Sequence, residues 1–115
     1  MLFRSALFSH LDVEIAKSKV NETAVAILVC DLDGFKSVND RWGHLEGNRV
    51  LQLVAKGFRN ALREGDYVAR MGGDEFVFIL PGIDPRDVEG LVPRLEKVAN
   101  LAGREVTGKI GRAHV

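Results

Sequence analysis

The stretch AVAILVC, from Ala24 to Cys30, constrains this chain more than any other. It is continuously apolar, rich in β-branched residues, and far short of the roughly 18 apolar residues that a membrane helix needs. Such a run reads as a strand buried on both faces, so other layers must lie above and below it. It stops abruptly at Asp31, Leu32, Asp33 and Gly34. Two carboxylates two positions apart share one face if the strand continues through them.

Helical periodicity flanks this strand. Before it, Phe3, Leu7, Phe8, Leu11 and Ile15 follow one-face spacing, until Asn21 to Thr23 break the pattern. After it, Val50, Leu51, Val54, Phe58, Ala61 and Leu62 mark an amphipathic helix over about residues 47–62. Arg63 to Asp66 stop that helix, with Gly65 suited to a left-handed cap. Tyr67 to Met71 and Asp74 to Leu80 are short apolar runs joined by Gly72 and Gly73, which predicts a hairpin with a two-residue primed turn. Asp84 and Pro85 read as an N-cap and first helical residue. Val88, Leu91, Val92, Leu95, Val98 and Ala99 continue a helical face. Pro93 inside it predicts a kink or a delayed start. A last strand is expected from about Glu105.

That order describes one α/β (α+β) domain. With 16 basic and 16 acidic residues the formal net charge is +0, which removes the case for a nucleic-acid binder driven by bulk charge. A charged fraction of 28% beside 46% hydrophobic residues excludes disorder. The single cysteine, Cys30, has no internal partner for a disulfide. No signal peptide is visible, and a cytoplasmic location is expected.

Several polar residues can carry chemistry. Asp31 and Asp33 end the first strand, and Asp74 and Glu75 follow the Gly-Gly turn. If the hairpin pairs beside the first strand, these acids meet and suit a hard cation such as Mg²⁺. Phe35, Lys36, Asn39 and Asp40 form a predicted loop offering backbone N–H groups and one cation to a phosphate, while Asn39 and Asn48 suit a purine edge. Each also has a plainer reading. Asp-x-Asp-Gly is commonly a turn, Asn39-Asp40 an N-cap, His44 a surface residue or cap, and Lys36 a solvated lysine.

Together they say more. Gly72 to Phe76 spell GGDEF, and DLDGFKSVND from Asp31 to Asp40, then Gly43-His44, lies upstream. Chance gives that pentapeptide in a chain of this size on the order of once in ten thousand. Over residues 3–109 the chain resembles the GGDEF, or diguanylate cyclase, family. The resemblance implies a palm-like nucleotidyl-cyclase fold, a central mainly antiparallel sheet flanked by helices. It implies condensation of two GTP into cyclic di-GMP with release of pyrophosphate, using two Mg²⁺ or Mn²⁺ per site. Carried over by position, Asp31, the Leu32 carbonyl and Asp74 are the metal ligands, with Asp74 also the candidate base. Phe35 and Lys36 match the phosphate loop, and Lys36 faces developing charge. Asn39 matches a guanine reader, His44 and Asn48 further substrate contacts, and Glu75 a support for the metal shell. Two facing sites call for a two-fold homodimer. Arg63 and Asp66 match a product-inhibition site. Sensory or regulatory domains, and a membrane anchor, are expected only in a longer protein.

The chain also departs from the family. Asn48 stands where aspartate is usual, so one acceptor for guanine N–H groups is replaced by a donor. The family's opening motif, a later Ser-x-Gly strand and a last helix bearing a lysine and an arginine have no match. Ile110 to Val115 read IGRAHV, the translation of a common sequencing-library adapter, so residues 110–115 are expected to be a non-native tail behind a partial domain, 1–109. The alternative function is a GGDEF-like module that binds GTP or cyclic di-GMP without turnover. A related palm-like cyclase or polymerase with another product would share the acids but does not predict GGDEF in full.

Overall fold

The computed structural model describes residues 4–33, 35–107 and 112–114. Phe3, Gly34 and, in the expected tail, Ile110, Gly111 and Val115 lie outside the described residues. Its elements are α1 (Arg4–Asn21), β1 (Val25–Asp33), α2 (Phe35–Trp42), α3 (His44–Ala61), β2 (Tyr67–Arg70), β3 (Glu75–Pro81), α4 (Pro85–Thr107) and β4 (Arg112–His114). The four strands make one sheet in the order β2-β3-β1-β4, with every neighbouring pair antiparallel. This is the α+β arrangement expected from the motifs, a central antiparallel sheet flanked by helices.

Strand alternation decides what the sheet buries. Ala26, Leu28 and Cys30 on β1 pair with Leu80, Phe78 and Phe76 on β3, so all six share one face. Against that face pack Val50, Leu51, Val54 and Phe58 of α3 and Leu91, Leu95 and Ala99 of α4. The opposite face is only partly covered. Leu7 of α1 packs on Ala69 and Ile79, with Leu11, Tyr67 and Val77 at the margin. Burial of β1 on both faces is therefore corrected: Ile27 is 50% and Val29 49% exposed, because the cluster under α1 takes in Val25 at the start of β1 and stops short of Ile27 and Val29. The first helix is corrected likewise. Leu7 and Leu11 form its inner stripe, together with the buried Glu14, while Phe8 and Ile15 are turned outward and exposed.

Other expectations change in detail. Met71 to Asp74 connect β2 to β3, closed by the Met71 N–H donating to the Glu75 carbonyl at 2.8 Å. The primed two-residue turn is absent, since the left-handed glycines among the described residues are Gly43, Gly65 and Gly82. Gly65 does have φ 90°, but in the turn from Arg63 to Asp66; the C-cap of α3 is Leu62. Helix α4 runs unbroken from Pro85 through Pro93, with no delayed start. Proline costs about 3 kcal/mol there, and the buried Leu91, Leu95, Ala99 and Ala102 hold the helix against that cost. Glu105 to Thr107 belong to this helix, so the last strand is β4, on the edge of β1 beside Asp31 to Asp33.

Cys30 sits wholly inside the main core. Burial first, then the charges of Asp31 and Glu96, push its thiol up from 9.0 to about 12. The folded chain thus holds this proton more tightly than the unfolded chain does. The resulting stabilisation is complete below pH 9.0 and is lost as pH rises towards about 12. Two outcomes are expected: no alkylation by iodoacetamide at pH 8 without denaturant, and a melting temperature that falls through the alkaline range. Prompt labelling of the folded chain would contradict the buried placement.

Candidate functional site

Strand β1 continues through Asp31, Leu32 and Asp33, and this continuation builds the site. Asp31 stands opposite Glu75 in the β1–β3 register. One step on, the Leu32 N–H donates to the Asp74 carbonyl at 3.0 Å. The acids of the first strand and of the hairpin therefore meet at one end of the sheet. Asp31 and Asp74 are exposed, Glu75 is half-buried, and the Leu32 side chain is packed in the core. No ion pair among the described residues engages Asp31, Asp74 or Glu75.

Among the described residues no group of three or more His, Cys, Asp and Glu side chains could hold a metal. The expected donors are two carboxylates and a backbone carbonyl, a set smaller than such a group. All are hard oxygens beside an unpaired third acid, and that chemistry fits Mg²⁺ or Mn²⁺.

Phe35 to Asp40 are helical, which corrects the predicted loop and removes the N-cap reading of Asn39-Asp40. Phe35 is buried and anchors the first turn of α2 in the core, while Lys36 beside it is exposed. That turn holds no acidic residue, so its N–H groups and Lys36 offer a positive end to an anion. Asn39 is half-buried and lies over Gly47 of α3, where a side chain would collide with its Oδ1. His44 opens α3 and is exposed; the N-cap is Gly43, at φ 87°. One turn on, Asn48 is exposed and borders a groove of about 280 Å³ with Leu51, Gln52, Arg59 and Arg70. Asn39 and Asn48 thus flank one helix junction.

Arg63 and Asp66 sit elsewhere. They meet near Pro81, at the other end of β3 from Glu75, roughly 20 Å away by strand rise. Arg63 Nη2 and Nε donate to Asp66 at 2.8 and 3.0 Å, and Nη2 also donates to the Pro81 carbonyl at 3.0 Å. The hydrogen bond to Asp66 raises the guanidinium pKa further above its already high value. This pair borders a cavity of about 320 Å³ that also takes in Arg86, Gly90 and Arg94. Sequence reasoning missed these two arginines. The signal was there: Arg86, Gly90 and Arg94 are spaced by four, so one face of α4 carries two cations with a gap between them.

The sequence profile of the family described as "Diguanylate cyclase, GGDEF domain" matches residues 2–115. The diguanylate cyclase DgcP of Pseudomonas aeruginosa is 39% identical over 92 residues, which are 80% of this chain and 14% of that protein. Among solved structures, the GGDEF domain of YfiN (TpbB) from Pseudomonas aeruginosa superposes with a TM-score of 0.79 at 33% identity, over 83% of this chain and 56% of that one. The GGDEF domain of DgcB from Caulobacter crescentus, solved in complex with c-di-GMP, gives 0.77 at 27% identity, over 96% and 67%. The chain therefore spans only a small part of its curated relative and little more than half of a solved single domain.

Proposed function

Because the chain belongs to the diguanylate cyclase GGDEF family, we propose that it condenses two GTP into cyclic di-GMP. The observation that carries this reading is the Asp31–Glu75 register with the Leu32–Asp74 hydrogen bond, which joins the two acidic motifs at one sheet end. In each half-reaction a ribose 3′-oxygen attacks an α-phosphorus, the P–O bond to pyrophosphate breaks, and the hydroxyl proton passes to the Asp74 carboxylate, the candidate base. Asp31, the Leu32 carbonyl and Asp74 would hold divalent cations, which would supply Lewis-acid neutralisation of the phosphoryl charge and a lowered pKa for that hydroxyl. Lys36 and the first turn of α2 bind the phosphates, and Phe35 fixes that turn. Asn39, Asn48 and His44 hold the base and sugar, and Glu75 keeps the neighbouring acids oriented.

One such site takes one GTP, whereas the product needs two phosphodiester bonds between two nucleotides. Two copies facing each other about a two-fold axis meet that requirement. Specific activity then rises with protein concentration, or with a regulatory domain that brings copies together in a longer protein. The test is incubation with GTP and Mg²⁺ followed by chromatography for cyclic di-GMP. Absence of product across a wide range of protein concentration overturns the proposal. Asn48 favours a second reading, a module that binds GTP or cyclic di-GMP without turnover. Nucleotide binding without product would establish it. Residues 110–115 we assign to an appended tail, which resequencing of the locus checks, and Arg112 and His114 are kept out of the site.

Arg63 and Asp66 we assign to product inhibition. The cavity around them, bordered by Arg63, Arg86 and Arg94 beside Asp66 and Asp87, supports this, as does the relative crystallised with c-di-GMP. Arg63→Ala is expected to raise the cyclic di-GMP concentration for half-inhibition about tenfold or more, as loss of a charge-assisted contact does. Inhibition curves identical to the wild type's would remove the assignment. Melting temperature should also drop, because the Asp66 side chain is only 2% exposed and loses its ion pair.

A further inference from the structure

Gly47 has no positive φ and lies in the middle of a helical turn, so backbone freedom does not explain a glycine there. Space does. It is buried, and a Cβ built on it collides with Asn39 Oδ1, comes to 3.0 Å from Asn39 Cγ and to 3.4 Å from Phe35 Cζ. The backbone at this junction is tied on both sides. The Gly43 N–H donates to the Asn39 carbonyl at 2.9 Å, and the Gly47 N–H donates to the Gly43 carbonyl at 3.1 Å. Helix α3 therefore cannot slide off α2 cheaply, and the group that yields to a larger residue is the Asn39 carboxamide.

We propose that Gly47 is a positioning residue for base recognition: by carrying no side chain it lets Asn39 lie across α3, over the position that precedes Asn48 in the chain. This rests on the reading of Asn39 as a contact to the purine. Gly47 touches no nucleotide itself; it sets where the Asn39 amide sits. Asn48 follows Gly47 in sequence, so the same turn of α3 fixes both carboxamides relative to each other. Gly47→Ala turns Asn39 away while leaving Lys36, the acids and the first turn of α2 in place. The expected effect is a loss of base-dependent affinity with phosphate binding kept.

The experiment measures GTP and inorganic tripolyphosphate binding, each with Mg²⁺, to wild type, Gly47→Ala, Asn39→Ala and the double variant. Gly47→Ala is expected to weaken GTP about tenfold, equivalent to ~1.4 kcal/mol, and tripolyphosphate less than about twofold. In the Asn39→Ala background, adding Gly47→Ala should cost no further GTP affinity, because the two act as one unit. Unchanged GTP affinity, equal losses for both ligands, or additive losses in the cycle each overturn the inference. Should Gly47→Ala fail to fold, the double variant relieves the collision and must fold; its failure to do so also overturns the inference. A wild-type chain that binds no GTP sinks the proposed function itself. A wild type that binds, beside a Gly47→Ala variant that binds equally, sinks only the role of Gly47.

Discussion

If the proposed activity holds, Asp74→Ala is expected to lower cyclic di-GMP formation by about a thousandfold, the equivalent of ~4 kcal/mol of barrier, with almost no change in melting temperature. The two halves of this expectation have separate causes. Asp74 is exposed in the β2–β3 connection, and its side chain has no ion pair among the described residues. Its structural contribution is the backbone carbonyl that accepts from the Leu32 N–H, and alanine keeps that carbonyl. Exposed substitutions of this kind stay within about 0.5 kcal/mol. On the proposed function, in contrast, the carboxylate is one of two acids that would hold the metal, and Asp31 alone would not neutralise the phosphoryl charge. Product formation with GTP and Mg²⁺, read beside a thermal melt, checks both halves. Activity above a tenth of wild type would show that Asp74 is no ligand.

Phe58→Ala has the largest expected effect on stability. Phe58 is 0% exposed and sits edge-on to Phe76 at 5.2 Å and to Phe78 at 5.0 Å, joining α3 to the central strand β3. Truncating a buried phenylalanine costs about 3–5 kcal/mol, in part through the cavity left behind. The two lost ring pairs place this site towards the upper end. Against a typical net stability of about 5–15 kcal/mol, the melting temperature should fall by roughly 15 °C or more. Urea unfolding checks it: the midpoint moves with an unchanged slope. A fall of less than about 5 °C would mean that the core collapses into the space. The same contacts assign the Phe76 of the GGDEF motif to packing. It is 0% exposed and registers with Cys30, so it seats the acids before it without taking part in their chemistry.

Much of this was legible because few physical solutions compete. Val50, Leu51, Val54 and Phe58 repeat at helical spacing and bury as that spacing requires. The junction of Asp31 with the hairpin follows once β1 and β3 pair, since register allows no other placement. What misled was local preference overruled by packing. Asn39 and Asp40 favour caps and turns, yet the buried Phe35 ahead of them seeds a helix that takes both in. Gly72 and Gly73 suggest a primed turn, but a longer connection leaves them free of that geometry, with open space where side chains would stand. The apolar run of β1 cannot reveal that the cluster under α1 takes in Val25 and leaves Ile27 and Val29 open. Arg86 and Arg94 escaped because cations on an amphipathic helix look like any solvated face until a cavity is found between them.

The isolation of Cys30 also makes it a clock. It is the chain's one thiol, wholly enclosed, and one residue from Asp31. A labelling reagent can reach it only when the sheet opens, so the labelling rate measures how often the folded state gives way. Whatever binds the folded chain alone lengthens the wait: a nucleotide at 100 times its dissociation constant should slow labelling about 100-fold. Occupancy of the acidic sheet end can then be timed with an ordinary thiol reagent, with or without turnover.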